Sequence, residues 1–178
     1  MNLICRKSSF DAGHRVMNQK FKCFNLHGHT YLLELYYGFN DIAEIGYAVD
    51  FSEIKRLPEA WIQKMMDHGM ILNPADEDLI QLCERNGFTK YIMSLDQEYC
   101  NPSAENIGAE ILLAAGYLLE DAKSGLYIDH ITLWETPNCK VEIGSVDPAR
   151  AMNFYEQRQT QLDEFKASKG KITYDDRE

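Results

Sequence analysis

Three histidines stand at a spacing that suits a metal ion. His27-Gly28-His29 opens a stretch of leucines and aromatics running to Tyr37. Side chains two apart on a strand point to the same face, so both rings can reach one ion. His14 ends Phe10-Asp11-Ala12-Gly13-His14 on the preceding expected strand, and a hairpin would bring it beside the pair. Three neutral imidazoles with an open fourth position make a catalytic zinc site, whereas a fourth protein ligand makes a structural one. Cys23, four residues before His27, suits two roles. It closes the site as a thiolate ligand, or it acts as nucleophile or base, its thiol acidified by the cation and by Lys20 and Lys22.

Other residues offer acid–base and binding chemistry. In Asp67-His68 the carboxylate can orient the imidazole and support an imidazolium, though the pair also reads as a helix end. Asn101-Pro102-Ser103-Ala104-Glu105-Asn106 reads locally as a helix start, with Ser103 as cap and Glu105 in the first turn, where a carboxylate suits the dipole. Glu135 shares a strand face with Ile131 and Leu133, so it is either at the wet end of the strand or a buried acid with a partner. A carboxylate there can accept two parallel hydrogen bonds from an amidine-like edge such as a 2-aminopyrimidinone. Residues 1–25 carry Arg6, Lys7, Arg15, Lys20 and Lys22 against the single acid Asp11, whereas residues 101–147 carry only Lys123 and Lys140 against eight acids. The basic opening segment is either solvated surface charge or a place for a small anion.

The elements that must position these residues follow from periodicity. Strands are expected over 3–12 and from His29 to Tyr37, with a turn region from Gly38 to Gly46. From Ser52 to Met66 the apolar residues Ile54, Leu57, Trp61, Ile62 and Met65 keep a helical period, with Ser52 as N-cap. Pro58 predicts a kink or a late start. Leu79 to Cys83 suggests a short helix and Tyr91 to Met93 a short strand. After Ser103, the residues Ile107, Ile111, Leu112, Ala115, Leu118 and Leu119 form one helix face, and Gly125 closes that section. Ile128 to Thr136 and Lys140 to Val146 read as a hairpin joined at Pro137-Asn138. Asp147-Pro148 starts a last helix with Met152, Tyr155, Leu162 and Phe165 on its apolar face, and the polar end from Ser168 is expected to fray. The pattern is α+β, with antiparallel hairpins and helices covering one face.

Composition narrows the function classes. A chain of 178 residues can build one domain with a real core, and 45% apolar against 26% charged residues excludes wholesale disorder. No apolar run approaches the ~20 residues of a membrane helix, and the opening residues contain no long apolar h-region of a secretory signal. Five cysteines, scattered at 5, 23, 83, 100 and 139, argue against a disulfide scaffold and for a reducing cytoplasm. A net charge of -10 argues against general nucleic-acid binding.

Taken in order, Phe10-x-Ala12-x-His14, Cys23-x-x-x-His27-Gly28-His29, Asp50-Phe51, Asp67-His68, Asn101-Pro102-Ser103-x-Glu105-Asn106 and Glu135-Thr136 resemble the motifs of the 6-pyruvoyl-tetrahydropterin synthase family. The match spans residues 3 to about 146. The three-residue gap between Cys23 and His27 resembles the bacterial 6-carboxytetrahydropterin synthase branch of the queuosine pathway. The resemblance implies a T-fold (tunnelling fold): an antiparallel four-stranded sheet with two helices on one face, over residues 1–147. A C-terminal helix and polar tail over 148–178 would extend it. Also implied are homo-oligomers, trimers paired as hexamers, with sites at subunit interfaces and no nucleic acid or membrane among the partners. The resemblance places zinc on His14, His27 and His29, makes Cys23 the catalytic thiol with Asp67 and His68 as relay, and makes Glu135 the pterin anchor. Ser103, Glu105, Lys20 and Lys22 join the expected substrate contacts, the lysines receiving a triphosphate. The implied reaction converts 7,8-dihydroneopterin triphosphate to 6-carboxytetrahydropterin, acetaldehyde and triphosphate. Two rivals are a pyruvoyl synthase, which eliminates triphosphate without losing carbon, and a non-catalytic zinc domain closed by Cys23. The stretch between Asp67-His68 and Asn101 is longer than the compact family pattern, and the helix after Asp147 is an extension of it.

Overall fold

The computed structural model describes residues 2–120 and 125–168. Strands β1 (Asn2–His14) and β2 (His27–Phe39) pair antiparallel along their whole length, from Asn2↔Phe39 to His14↔His27. β2 pairs antiparallel with β5 (Tyr127–Thr136), and β5 with β6 (Cys139–Ile143). These four strands are the expected sheet. Two short strands correct it to six. β3 (Gly69–Leu72) runs parallel to Ala12–His14 of β1, and β4 (Lys90–Ile92) runs parallel to β3, giving the order β4-β3-β1-β2-β5-β6. β3 has no signature in the sequence, because Gly69-Met70-Ile71-Leu72 is short and does not alternate. Such runs carry no periodic signal.

One face of the sheet is apolar by alternation. Phe10 and Ala12 of β1, Tyr31, Leu33, Leu35 and Tyr37 of β2, and Ile131 and Leu133 of β5 are all buried. Helix α4 (Ala104–Leu119) lies on β5 and β6, burying Ile107, Ile111 and Leu118 completely. Its Gly108 permits this approach, since a Cβ there would stand 2.7 Å from Ile143 Cδ1. Beside α4 packs a bent helix made of α1 (Phe51–Ile54), a π-turn (Lys55–Glu59) and α2 (Ala60–Met65), which buries Trp61 and Ile62. Pro58 sits inside the π-turn, where its missing N–H and its ring widen the ladder. The expected cap moves two residues earlier, from Ser52 to Asp50. The Asp50 carboxylate, not Ser52, accepts a backbone bond, from Ser52 N at 2.8 Å. Not every helix covers the apolar face. α3 (Glu77–Asn86) rests on the opposite side of the sheet, packing Leu79 and Cys83 against Leu72 and Met70.

α5 (Pro148–Ala167) starts as the sequence suggests, with Asp147 capping the N–H groups of Ala149 and Arg150. Its inner stripe differs. Phe154, Leu162 and Phe165 are buried, while Met152 is 59% exposed. Leu162, Phe165 and the partly buried Tyr155 face inward as expected, and Arg158 occupies the same stripe as Phe154 and Leu162. Its guanidinium lies 4.3 Å from the Tyr91 ring centre and donates to the Ile92 carbonyl and, at 3.3 Å, to Ser94 Oγ. Below that ring the Glu110 carboxylate, pushed up by burial, accepts bonds from Tyr91 Oη at 2.5 Å and from the N–H groups of Ser94 and Leu95. The polar end beyond Ser168 lies outside the described residues.

Arg158→Met should keep the apolar stem and remove these donors. Loss of hydrogen bonds from a charged, partly buried group predicts a cost of ~1–3 kcal/mol and a melting temperature lower by several degrees. Thermal unfolding by circular dichroism checks this, and an unchanged midpoint would mean that the apolar stripe alone holds α5.

Candidate metal centre and active site

The β1–β2 register sets His14 opposite His27 and Ala12 opposite His29, so all three imidazoles share the apolar face at one end of the sheet. Ring centres are 4.6 Å apart for His14–His27, 5.3 Å for His14–His29 and 5.0 Å for His27–His29. One ring nitrogen from each lies within 4.8 Å of the others. His14 Nδ1 donates to the Pro102 carbonyl at 2.7 Å, and His27 Nδ1 donates to the Asn25 carbonyl at 2.7 Å. A carbonyl only accepts, so in both rings the proton sits on Nδ1 and the Nε2 lone pair is left for a ligand. Burial drives the His14 imidazole down to about 4, and the neighbouring His27 and His29 push the same way. His14 is therefore neutral at neutral pH. Its Nε2 is buried without a hydrogen-bond partner. An orphaned lone pair flanked by two more imidazoles is the donor set of a zinc site, and the residues fit the metal.

The surroundings hold His14 from several sides. Pro102 ends an extended stretch and leads into α4, whose Ser103 cap accepts from Asn106 N at 3.4 Å. Asn101 clamps the chain after His14 by accepting from Met17 N at 2.9 Å and donating to Met17 O at 3.1 Å. Asn73 in turn donates to Asn101 Oδ1 at 2.9 Å. Arg15, next to His14, forms a two-pronged pair with the buried Asp76, both bonds 2.5 Å long. The Tyr31 ring stands 6.0 Å from His14 and 5.6 Å from His29 and walls the cluster. Glu135 reaches the same place, its Oε1 3.7 Å from His14 Nε2, with 29% of its side chain exposed. It sits where the β5–β6 register shifts between Trp134 and Thr136, the kind of irregularity that re-aims a side chain.

Asp67 and His68 lie elsewhere. Alternation along β1 turns Asp11 to the face opposite His14, where it accepts from Thr30 Oγ1 at 2.5 Å. Asp67 Oδ1 accepts from Asp11 N at 2.8 Å, and His68 Nδ1 donates to Asp67 Oδ2 at 2.7 Å, raising the His68 pKa. His68 has the left-handed φ of 54° and its N–H donates to the Asp11 carbonyl, which aims an imidazole that is 78% exposed. A groove of about 440 Å³ opens here, lined by Asp11, Ala12, Gly13, Gly28, His29, Thr30, His68 and Gly69. The Asp67–His68 pair and the three histidines of one chain are thus on opposite faces of the sheet.

The loop between β1 and β2 carries the remaining candidates. Cys23 is half-buried in a single turn, Lys22–Phe24, tied back by Val16 N to Cys23 O at 2.7 Å, and its sulfur is not among the gathered ligand atoms. Lys20 and Lys22 are exposed, without an ion pair among the described residues, and Glu105 is exposed in the first turn of α4. The sequence reading missed the framework: the Pro102 and Asn25 carbonyls, Asn101, Asn73 and the Arg15–Asp76 pair. Asn101-Pro102-Ser103 was visible as a helix start, and only the fold brings its carbonyl to His14.

Residues 3–145 match the family described as 6-pyruvoyl tetrahydropterin synthase. The chain is similar to the 6-carboxy-5,6,7,8-tetrahydropterin synthase of Rickettsia bellii, at 36% identity over 138 residues that cover 78% of this chain and 96% of the relative. It is similar also to the protein of the same name from Rickettsia typhi, at 37% identity over 145 residues and the same coverage. The solved 6-pyruvoyl tetrahydropterin synthase of Plasmodium falciparum shares the fold, with a TM-score of 0.55 at 24% identity over 80% of this chain and 96% of that one. The architecture is the T-fold, here with six strands in place of the four expected. From its first strand to the residues just before α5, this chain belongs to the 6-pyruvoyl tetrahydropterin synthase family.

Proposed function

We propose that the protein is a zinc-dependent 6-carboxy-5,6,7,8-tetrahydropterin synthase, a carbon–carbon lyase of the reducing cytoplasm serving queuosine biosynthesis. Its substrate would be 7,8-dihydroneopterin triphosphate, and its products 6-carboxytetrahydropterin, acetaldehyde and triphosphate. The observation that carries the reading is the buried, unpartnered Nε2 of His14 gathered with two other imidazoles beside Glu135. The name shared by its Rickettsia relatives supports the product. Five unpaired thiols suit the compartment.

In this reading His14, His27 and His29 hold the zinc through one nitrogen each. Bound there, the metal would polarise oxygens of the substrate's three-carbon side chain and make its C–H and C–C bonds labile. Glu135 accepts two N–H groups from the pterin edge and so fixes which side-chain carbon faces the metal. Cys23 takes and returns protons as the thiol, and its absence from the ligand cluster favours this role over a closed structural site. Lys20 and Lys22 offer free positive charge to the triphosphate, with the first turn of α4, Ser103 and Glu105, lining the approach. Asp67 and His68 relay protons, but not to the histidines of their own chain, since the sheet stands between them. We infer that they serve the site of a neighbouring subunit in a trimer or hexamer. Two strand edges are free for such assembly. Among the described residues β6 is paired on one side only, and β1 has no strand partner beyond β2 from Asn2 to Asp11.

Incubation with dihydroneopterin triphosphate should release acetaldehyde in step with a carboxylated tetrahydropterin, read by mass spectrometry. A pyruvoyl product with no two-carbon fragment would assign the chain to the other branch. His27→Ala should lose the single zinc per chain, because two imidazoles rarely hold it tightly alone. Full zinc occupancy in that variant would refute the ligand set. Cys23→Ala and His68→Ala should each be inactive with metal content unchanged. Mixed oligomers of the two should regain activity, because some sites then combine an intact Cys23 with a neighbour's intact His68. Absence of recovery in verified mixed oligomers would return both residues to one subunit. Glu135→Gln turns one acceptor of the pair into a donor. Since hydrogen bonds to charged groups contribute ~1.5–3 kcal/mol, pterin affinity should fall roughly tenfold to a few hundredfold while zinc content stays constant. Calorimetry on zinc-loaded protein measures this, and wild-type affinity would end the anchor role.

A further inference from the structure

Helix α5 lies beyond the family match of residues 3–145, yet its first turn connects to the metal centre. Arg150 donates to Asp96 through Nε at 3.2 Å and Nη2 at 2.8 Å, and Nη2 also donates to Asn106 Oδ1 at 2.8 Å. On its other side Asn106 Nδ2 donates to the Asn101 carbonyl at 2.8 Å. The next carbonyl along the chain, that of Pro102, accepts His14 Nδ1–H. An arginine has only donors, so its contact decides which end of the Asn106 amide turns toward it. The oxygen must face Arg150, and the amide nitrogen is then left for Asn101.

We propose that Arg150 is a positioning residue for metal binding, acting from α5 through Asn106 on the Asn101-Pro102 segment that orients His14. The inference rests on the three-histidine reading of the metal centre. The other polar contacts of α5 stop short of His14. Asn153 donates to the Leu95 carbonyl at 3.0 Å, Gln157 to the Ser94 carbonyl at 3.0 Å, and Arg158 to the Ile92 carbonyl and Ser94 Oγ. These fasten α5 to the chain after β4, whereas Arg150 alone among them links to the residues around Pro102. The relay matters because His14 must present Nε2 in one direction. Its buried ring is steered by the single hydrogen bond on Nδ1, and a shifted acceptor rotates the lone pair away from the point where three imidazoles meet.

The test measures zinc affinity of the full-length protein by competition with a chromophoric chelator, well below the melting temperature. Loss of a direct partner of a metal ligand typically costs ~10–100-fold in affinity; acting from further out, through Asn106 and the Asn101-Pro102 segment, Arg150→Met should weaken zinc binding about three- to tenfold. Arg158→Met is the control. It loosens the same helix and should leave zinc affinity unchanged. In Asn106→Ala the relay is already cut, so adding Arg150→Met should weaken binding no further. Arg150→Lys keeps a charge against Asp96 but lacks the fork; it should bind zinc with intermediate affinity, and it replaces the Met variant if that does not fold. Wild-type affinity in the Arg150 variants, an equal loss in Arg158→Met, or independent losses in the double variant would each overturn the relay. A wild-type protein without stoichiometric zinc would overturn the three-histidine reading itself, a distinct failure.

Discussion

The pairing register of β1 with β2 is the constraint on which the rest depends. Side chains alternate along a strand, so a slip of one residue would send either His14 or the His27–His29 pair to the other face. The core prevents it. Phe10 and Ala12 on one strand, and Tyr31, Leu33, Leu35 and Tyr37 on the other, are buried on the face that carries the histidines, and Phe10 stacks on Tyr31 at 5.0 Å. Any odd slip, which would split the histidines between faces, would also expose part of that apolar set. Folding stability and ligand geometry are therefore selected by the same pairing.

Around this strand pair the fold buries polar groups and satisfies them in ways that immobilise His14. Asn73 and Asp76 are almost inaccessible, and each ties two or more segments together. Asp76 both caps α3, accepting from Leu79 N at 3.2 Å, and holds Arg15. A buried network of this kind is costly if any member is unpaired, so it favours one arrangement. Other buried polar atoms lack partners, including the hydroxyls of Tyr31 and Tyr37 and Trp61 Nε1. Among those of the described residues only His14 Nε2 belongs to the gathered imidazoles, and the proposed zinc reading rests on that coincidence.

Much of this was legible in the residues. The long strands, α4 and the β5–β6 hairpin are legible through alternation, helical period and turn residues, and the H-x-H spacing with His14 pointed to the cluster of three imidazoles. Local patterns could not reveal what depends on distant contacts. β3 is too short to show a period and exists because it pairs with β1 and β4, whereas β4 falls one residue from the short strand expected at Tyr91 to Met93. Arg158 sits on the inner stripe of α5 because Tyr91 and the Ile92 carbonyl receive its charge, and no hydropathy pattern contains that. The segregation of Asp67-His68 from the histidines is also invisible in sequence order. It follows from Asp11 and Ala12 being neighbours on one strand and hence on opposite faces.

The way the sheet ends bears on assembly. An open strand edge offers unpaired backbone groups to any passing chain, and proteins block those edges that are not meant to pair. β4 is such an edge, only three residues long, and α5 covers the chain that continues from it. Side chains of Asn153, Gln157 and Arg158 take up the carbonyls of Leu95, Ser94 and Ile92, as the N–H groups of another strand would. β6 at the other end has no such cover among the described residues; it carries the Lys140–Glu142 pair, 2.5 Å apart, charges that discourage indiscriminate pairing. Among the described residues β1 likewise keeps its outer side free of strands from Asn2 to Asp11, where Gln63 Nε2 reaches the Ser9 carbonyl at 2.8 Å and Asp67 and His68 take up the N–H and carbonyl of Asp11. One edge is closed by the chain itself, and among the described residues two stretches stay unpaired. That is the condition a sheet must meet if its two faces, one holding the imidazoles and the other Asp67 and His68, are to contribute to a shared site.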